Sequence, residues 1–439
     1  MSNQQISDHK VCLASADGHV GPPTGVYRDY LPKRLHGMFD QFYEHHLYRW
    51  APQSESSFFP AEKNSKFWGT EGFDPEHGTA VTWDPNLRLK AMDQSMVACE
   101  LLLPDDQSMN DPPWGSGLAN AAVEGAGGSA KYPPELVRAG ARAYNRWLAE
   151  FCSTDPARLR GATILGTLDD VVWATDEIER AYDEGLTTGI MLPLEYNMPL
   201  YHHPRYDPLW ELCCDLDLPV VVHIGRGYPD YLGEDPKVQW MIYNADGMGG
   251  QYHLRPTRCF IMGGVFERFP KLRHVMTEAG LEWVTPFLAG LEHIFDWWPD
   301  MQASRDVPRR VDFTKRPTDY WNDHCFVTHS INQRTDEFEG DGFAAIPNAI
   351  WGADLGHDEG WWPVYGFPDP VPEGQPPFFQ LPVIPVEDAY RTIFGGLEAD
   401  RMLPYLESNF FRAYPNVDRS ALDQVVQRIA PTVSELRLV

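Results

Sequence analysis

Short apolar segments alternate with amphipathic segments along most of this chain. The apolar segments are rich in Val, Ile and Leu, which is typical of buried strands. They lie at 11–20, 96–104, 160–165, 188–194, 218–225, 272–278, 325–331 and 348–357. Helical periodicity is found at 85–94, 134–152, 169–184, 208–216, 257–269, 281–297, 386–396 and 418–429. This alternation predicts an α/β protein.

Eight predicted strands separated mostly by helices is the count of a (β/α)8 TIM barrel. Right-handed crossovers close such a parallel sheet. An open doubly wound sheet is the alternative, but it requires a glycine-rich phosphate loop after the first strand. Neither G-x-G-x-x-G nor G-x-x-x-x-G-K occurs there. We therefore predict a single TIM-barrel domain spanning residues 1–439.

Four segments interrupt the alternation and are interpreted as insertions into the barrel. They lie at about 20–83, 107–130, 226–255 and 362–385. Connections of this length usually carry function or helices of their own. The first is interpreted as a lid-like insertion. The last is rich in proline and is interpreted as a flap over the barrel mouth or as an interface arm.

Composition and charge limit the classes of molecule that this chain is expected to bind and its expected location. Hydrophobic residues make up 43% of 439 residues, enough for a large core. The formal net charge of -27 disfavours nucleic acid and anionic membrane surfaces. Seven cysteines without C-x-x-C, including the pair Cys213 and Cys214, favour reduced thiols and a cytoplasmic location. No apolar leader or membrane-spanning run is present, so neither export nor membrane anchoring is expected.

Polar side chains stand at the carboxyl ends of four predicted strands. Asp17 and His19 end the first strand, His223 the fifth, Glu278 the sixth and Asp354 the eighth. Strand ends of a barrel converge on one face, where catalytic sites lie. Because carboxylates and imidazoles are metal ligands, the sequence predicts a metal site there. For Glu278 the alternative is a cap on the helix that follows.

Other histidines are candidates for additional ligands. His329 lies in a predicted barrel strand and is favoured as a ligand. Only one of His202 and His203 can point inward from an extended segment, and a surface position is equally compatible with either. His357 is expected to orient a ligand or to contact substrate. His274 shares a face with the sixth strand end but lies roughly 13 Å deeper, and is interpreted as structural.

Several motifs together resemble the amidohydrolase superfamily, in the branch related to aminocarboxymuconate-semialdehyde decarboxylase. They are DGHVGPP, NLRLKAMDQ, RYDPLW before LPVVVHIG, FPKLRHVMTEAGLEWV, IWGADLGHDEG and LESNFFRAY. The resemblance implies a metal-dependent barrel and a homodimer, with the metal held by Asp17, His19, His223 and Asp354. The usual H-x-H of the branch is Asp-x-His here, and Glu278 lies near a position that is histidine in many members.

The abundance of carboxylates favours iron. Asp17, Glu278 and Asp354 bring three negative charges, which two Fe²⁺ compensate better than one Zn²⁺, and mixed histidine and carboxylate ligation suits iron that handles oxygen. Glu278 and Asp354 are the candidate catalytic residues. The main hypothesis is a non-haem diiron monooxygenase in which His329 and His202 or His203 complete the second iron site.

This site is similar to that of diiron monooxygenases of the same fold in diterpenoid antibiotic biosynthesis. The similarity implies a bulky apolar substrate carried as a coenzyme A thioester, O₂ as co-substrate and an external electron donor. Trp361 and Trp362 would line an apolar pocket for that substrate.

Two other classes of function remain open. One is a mononuclear Zn or Mn hydrolase or non-oxidative decarboxylase, in which Asp354 or Glu278 moves protons. The other is a non-enzymatic binding barrel, whose strand-end polar groups would be hydrogen-bonded without metal. A serine hydrolase is disfavoured because no G-x-S-x-G motif occurs. The fold cannot separate these functions, whereas the identity and number of bound metals can.

Overall fold

The structure is a computed structural model. It describes residues 6–50, 73–74, 78–104, 110–118, 132–194, 198–223, 251–304, 312–328, 346–356 and 386–437. The flap predicted at 362–385 lies outside the described residues. So do the candidate site residues His329, His357, Trp361 and Trp362.

A parallel sheet forms the framework, and its neighbouring strands follow chain order. The strands are β1 (Leu13–Ser15), β2 (His19–Val20), β3 (Phe73–Asp74), β4 (Gly78–Thr79), β5 (Val97–Pro104), β6 (Leu159–Ile164), β7 (Gly189–Met191), β8 (Val220–His223), β9 (His274–Thr277), β10 (Cys325–Thr328) and β11 (Ala349–Ile350). Their order in the sheet is β1-β5-β6-β7-β8-β9-β10-β11, with β2 also paired to β5, and β3 and β4 form a separate antiparallel hairpin.

Backbone hydrogen bonds join the first strand segments to the last. The Ala16 N–H donates to the carbonyl oxygen of Trp351 at 2.9 Å, and the His19 N–H donates to that of Leu355 at 2.8 Å. We call this junction, between residues 13–20 and 349–356, the barrel seam. The prediction of a (β/α)8 barrel is confirmed.

Helices surround the barrel and follow most strands. They are α1 (Tyr27–Tyr30), α2 (His36–Trp50), α3 (Pro85–Gln94), α4 (Pro134–Cys152), α5 (Val171–Asp183), α6 (Asp207–Asp215), α7 (Gln251–Ile261), α8 (Val265–Arg268), α9 (Val284–Ser304), α10 (Pro317–His324), α11 (Val386–Phe394), α12 (Ala399–Leu403), α13 (Asn409–Ala413), α14 (Asp423–Ile429) and α15 (Val433–Leu436). None of those described is both long and apolar enough to cross a membrane.

Capping explains where α3 begins. The Asp84 carboxylate accepts hydrogen bonds from the N–H groups of Asn86 and Leu87 at 2.8 and 3.1 Å, and Pro85 occupies the first helical position. The helix is thereby anchored in front of β5, and it carries one buried arginine, Arg88, toward the sheet.

The predicted excursion at 20–83 begins with ordered helices. The Tyr27 ring of α1 lies 6.4 Å from the Tyr144 ring of α4, and Phe39 and Phe42 of α2 pack around the buried ring of Trp114. The first part of the excursion is therefore a fixed layer against α4.

The first strand differs from its prediction as one continuous element at 11–20. It is divided into β1 and β2 by a turn in which the Ser15 hydroxyl donates to the carbonyl oxygen of Asp17 at 2.6 Å. The hydroxyl oxygen of Ser15 also accepts a hydrogen bond from the Ala353 N–H at 2.9 Å. This side chain takes over main-chain bonds, so the ladder is interrupted where the site begins.

His274 lies deep in the barrel wall, as expected for a structural residue. Its Nδ1 is 3.1 Å from the carbonyl oxygen of Val220, and its Nε2 is 3.1 Å from Thr257 Oγ1. The ring is fully buried and packs edge-on against Phe260, with centroids 4.9 Å apart. Burial lowers the pKa of His274 to about 4, although the bond to Val220 opposes this.

This pKa predicts a loss of stability in mild acid. The folded protein keeps His274 neutral, whereas the unfolded chain takes up a proton near the ordinary histidine pKa. The contribution of neutral His274 to the free energy of unfolding is therefore complete above about pH 6.5. The free energy of unfolding falls by about 3 kcal/mol as the pH drops toward 4. When urea denaturation is measured between pH 4.5 and 7, the free energy of unfolding should depend less steeply on pH for His274→Gln than for wild type. His293→Gln, at an exposed histidine of α9, serves as the matched control.

Candidate metal centre

Four buried side chains meet at the carboxyl ends of the strands. Asp17 and His19 come from the divided first strand, His223 ends β8, and Asp354 follows β11. All four are at most 3% exposed. Glu278 follows β9 at the edge of this group, and its side chain is 18% exposed. The structure therefore brings together the five residues that the strand pattern placed on one face.

The donor atoms are spaced as they would be around one ion. His19 Nε2 lies 3.0 Å from Asp354 Oδ1 and 3.3 Å from Asp17 Oδ1. His223 Nε2 lies 3.5 Å from Asp17 Oδ1 and 3.4 Å from Glu278 Oε2. Bonds of about 2.1 Å to a tetrahedral or octahedral ion place neighbouring donors roughly 3.0–3.4 Å apart. The spacing thus fits a divalent metal.

The hydrogen bonding of His19 supports the same conclusion. Its Nδ1 is 2.7 Å from the carbonyl oxygen of Pro104, which can only accept, so Nδ1 carries the hydrogen. In the neutral ring, Nε2 then presents its lone pair to the carboxylates of Asp17 and Asp354, which are also acceptors. Converging lone pairs of this kind are held together either by a proton on Nε2 or by a metal ion, and a carbonyl that orients a ligating imidazole is typical of metal sites.

Opposing effects set the pKa of Asp17, and burial is the largest of them. Burial and the neighbouring Asp354 carboxylate act to raise the pKa of Asp17. Contacts with His19 and His223 outweigh them and hold the pKa of Asp17 below its ordinary value. Asp17 is therefore ionised at neutral pH, in the form that binds metals.

Two of the carboxylates sit on strained backbone. Glu278 and Asp354 each have a φ of 51°, a left-handed conformation that is unfavourable for residues other than glycine. The Glu278 N–H is held by Thr328 Oγ1 at 2.6 Å, and the Asp354 N–H donates to the carbonyl oxygen of Asp17 at 2.9 Å. Such strain clusters at functional sites, where surrounding contacts maintain it.

The structure does not bring His202 or His203 to this centre. The Cβ of His202 lies against Gly263, where an added β-carbon would approach it to 2.4 Å, and its carbonyl accepts from Arg268 at 3.1 Å. His203 is exposed and caps a short helical turn through the Arg205 N–H. Within the described residues, the ligand atoms clustered within 4.8 Å belong to Asp17, His19 and His223. The expectation that His202 completes a second metal site is therefore not supported.

The sequence analysis missed a buried ion pair beside the centre. Arg88 of α3 and Glu100 of β5 are both fully buried, with Arg88 Nη2 2.8 Å from Glu100 Oε2. Burial raises the pKa of Glu100 to about 7, and the charge of Arg88 opposes this rise. The available signals were Glu100 within the apolar run of β5 and, on α3, the position of Arg88 three and four residues before the buried Ala91 and Met92.

The sequence of this chain is similar to those of known proteins. Residues 104–314 match the family model described as amidohydrolase. A gamma-resorcylate decarboxylase from Rhodococcus jostii is 28% identical over 265 residues, which cover 57% of this chain and 70% of that protein. The resemblance to the amidohydrolase superfamily is confirmed.

Solved structures share the fold. An amidohydrolase from Mycobacterium avium subsp. paratuberculosis has a TM-score of 0.60 at 15% identity, over 92% of this chain and 99% of that one. A 5-carboxyvanillate decarboxylase from Novosphingobium aromaticivorans, complexed with manganese and 4-hydroxy-3-methoxy-5-nitrobenzoic acid, has a TM-score of 0.59 at 14% identity, over 94% and 100%.

These comparisons favour one of the alternatives over the main functional hypothesis. Two of the three named proteins are decarboxylases, which matches the alternative of non-oxidative decarboxylation. They lend no support to two iron ions, O₂, a coenzyme A thioester or an electron donor. An enzyme of amidohydrolase fold with a metal-binding donor set is the common conclusion.

Proposed function

This chain has the amidohydrolase barrel and matches the amidohydrolase family model, and on that basis we propose that it is a metal-dependent, non-oxidative decarboxylase of a small hydroxylated aromatic acid. The observation that carries the proposal is the convergence of Asp17, His19 and His223, whose ligand atoms lie within 4.8 Å of one another, with Asp354 Oδ1 3.0 Å from His19 Nε2. The names of the relatives supply the substrate class.

The four buried residues would hold the ion. A divalent ion such as Mn²⁺ would bind the carboxylate and neighbouring hydroxyl of the substrate and stabilise the negative charge that develops on it. Asp17 and Asp354 are anionic ligands, while His19 is kept in one tautomer by the Pro104 carbonyl. Their burial excludes water from the ligand side of the site.

Glu278 is suited to supply the proton. Loss of CO₂ from an aryl carboxylate leaves the bonding electrons on the ring carbon, which must then take up one proton. Among the five acidic and imidazole groups, Glu278 has the greatest exposure, so it can regain a proton from solvent after each turnover. Asp354 is fully buried and is 3.0 Å from His19, so we assign it to metal binding.

The experiment is a decarboxylation assay on metal-defined protein. Purified chain is stripped with chelator, reloaded with Mn²⁺ or Zn²⁺, and incubated with a panel of ortho-hydroxybenzoic acids in D₂O. We expect CO₂ release and one deuterium on the ring carbon that carried the carboxylate. Failure with every acid and every metal would refute the proposal.

The carboxylate-rich donor set favours a second candidate, the non-haem iron monooxygenase. Asp17, Glu278 and Asp354 provide more negative charge than one divalent ion neutralises, and Glu278 Oε2, 3.4 Å from His223 Nε2, is a further carboxylate donor. That function predicts two Fe per chain, reductant-dependent O₂ uptake and ¹⁸O from ¹⁸O₂ in the product. Elemental analysis therefore separates the two candidates.

Substituting Glu278 tests which role this carboxylate has. In a mononuclear decarboxylase, Glu278→Gln should keep its single metal ion and lose about 10²–10⁴-fold in kcat, the typical contribution of general acid catalysis. In a dinuclear oxygenase the same change should lower the metal content from two ions toward one. Metal analysis together with kcat measures both, and Glu282→Gln, at an exposed neighbour, serves as the matched control.

A further inference from the structure

We propose that Arg88 is a positioning residue for the metal centre, because its guanidinium group links the two sides of the barrel seam beside the ligands His19 and Asp354. Its role in metal binding rests on the proposed function, whereas its role at the seam does not. Arg88 itself faces main-chain carbonyls and a carboxylate, and acts on the centre through the backbone.

All three nitrogens of the guanidinium group are engaged. Nη1 donates to the carbonyl oxygen of His19 at 2.9 Å, and Nη2 donates to that of Leu355 at 2.7 Å. Nε and Nη2 both reach Glu100 Oε2, at 2.9 and 2.8 Å. The side chain is fully buried, so these bonds are shielded from competing water.

The two carbonyls belong to the residues that place the ligands. His19 is itself a candidate ligand, and Leu355 directly follows Asp354. The Leu355 carbonyl also accepts the His19 N–H at 2.8 Å, so one oxygen joins the first strand, the last strand and α3. A shift of either carbonyl would alter the 3.0 Å separation between His19 Nε2 and Asp354 Oδ1.

Glu100 is fully buried and orients the guanidinium group of Arg88. Its Oε1 is buried and accepts no hydrogen bond within the described part of the chain, so the carboxylate serves Arg88 through Oε2 alone. Glycine at position 18 makes room for both groups. A β-carbon there would lie 2.4 Å from Glu100 Oε1 and 2.7 Å from Arg88 Nη2.

Lysine cannot reproduce this arrangement. The planar guanidinium group presents several donors in a fixed fork, which lets Arg88 reach two carbonyls and a carboxylate at once, whereas an ammonium is a compact point charge. Arg88→Lys thus keeps the charge and removes the geometry. Metal sites need ligand distances within about 0.2 Å of ideal values. Loss of the guanidinium group of Arg88 should therefore weaken metal binding.

Arg158 provides a matched control. It is also a buried arginine that donates to two main-chain carbonyls, those of Val97 and Ala98 at 2.9 and 3.0 Å, and it pairs with Asp93 at 2.8 Å. These contacts lie at the start of β5, the end of the strand opposite the metal centre. Arg158→Lys has the same chemistry as Arg88→Lys without contact to the seam.

The experiment measures the Kd for Mn²⁺ by titration of chelator-stripped protein, and amide hydrogen exchange in segments 13–20 and 349–356. We expect Arg88→Lys to weaken Mn²⁺ binding by roughly 10–100-fold, as for residues that orient metal ligands. Exchange should become faster in these two segments relative to the other strands. Glu100→Gln should give a smaller loss, because an amide oxygen still accepts from Arg88, and it serves if Arg88→Lys does not fold.

The outcomes are distinct. Unchanged Kd and unchanged exchange in Arg88→Lys would overturn the proposal, as would equal effects in Arg158→Lys. If wild type binds no divalent metal, the proposed function fails. The seam role is then decided by exchange alone, where faster exchange in both segments supports it and unchanged exchange refutes it.

Discussion

Replacing His223 with alanine is expected to leave a folded protein that no longer retains a divalent ion. His223 Nε2 lies between Asp17 Oδ1 and Glu278 Oε2, at 3.5 and 3.4 Å, so its removal takes one of the two imidazole donors from the centre. Losing a residue that merely orients a ligand costs roughly 10–100-fold in metal affinity. Losing a ligand should exceed about 100-fold in the Kd for Mn²⁺, with activity lost in proportion.

Metal content and metal-dependent stabilisation measure this effect. In wild type, Mn²⁺ at 100 times its Kd should stabilise the fold by about 2.7 kcal/mol, visible as a higher Tm. His223→Ala should show no such increase at the same concentration. His202→Asn serves as the control, because its side chain packs against Gly263 away from the centre. If His202→Asn also lost the metal, His202 would have to be regarded as a metal ligand.

Trp210→Ala is expected to give the largest loss of stability. Trp210 of α6 is fully buried, and its Nε1–H donates to the carbonyl oxygen of Tyr201 at 3.1 Å. Its ring packs edge-on against Phe260 of α7, with centroids 5.3 Å apart. Truncating a buried tryptophan leaves a cavity and removes the hydrogen bond to the Tyr201 carbonyl, so the free energy of unfolding should fall by about 3–5 kcal/mol. Urea denaturation at pH 7 measures this loss.

Trp297→Ala is the matched control for this prediction. Trp297 of α9 is 45% exposed, and substitution at an exposed site usually changes stability by no more than about 0.5 kcal/mol. A comparable loss in both variants would show that burial of the α6 ring is not what stabilises this side of the barrel.

Local patterns were sufficient to predict the barrel. Strands and helices have characteristic periods, and each can be recognised within a window of a few residues. The helix predicted at 134–152 has the observed bounds Pro134–Cys152, and the Asp84 cap is observed. The short strands β7 and β11 and the interrupted first strand show where the prediction was weakest. In the first strand, side-chain bonds of Ser15 replace ladder bonds.

The general position of the metal centre also follows from local patterns. Parallel strands of a barrel point the same way, so residues that end apolar segments must meet at one face. This argument placed Asp17, His19, His223, Glu278 and Asp354 correctly relative to one another. It could not exclude His202, because its packing against the loop after α7 depends on residues about 60 positions later.

The chain's own sequence therefore determined the fold class and the strand ends from which the ligands come, because both depend on patterns repeated within short segments. Tertiary structure alone decided the strained backbone of Glu278 and Asp354 and the link from Arg88 to Leu355, which are 267 positions apart. Contacts between such distant residues form only when the barrel closes, and no local period records them.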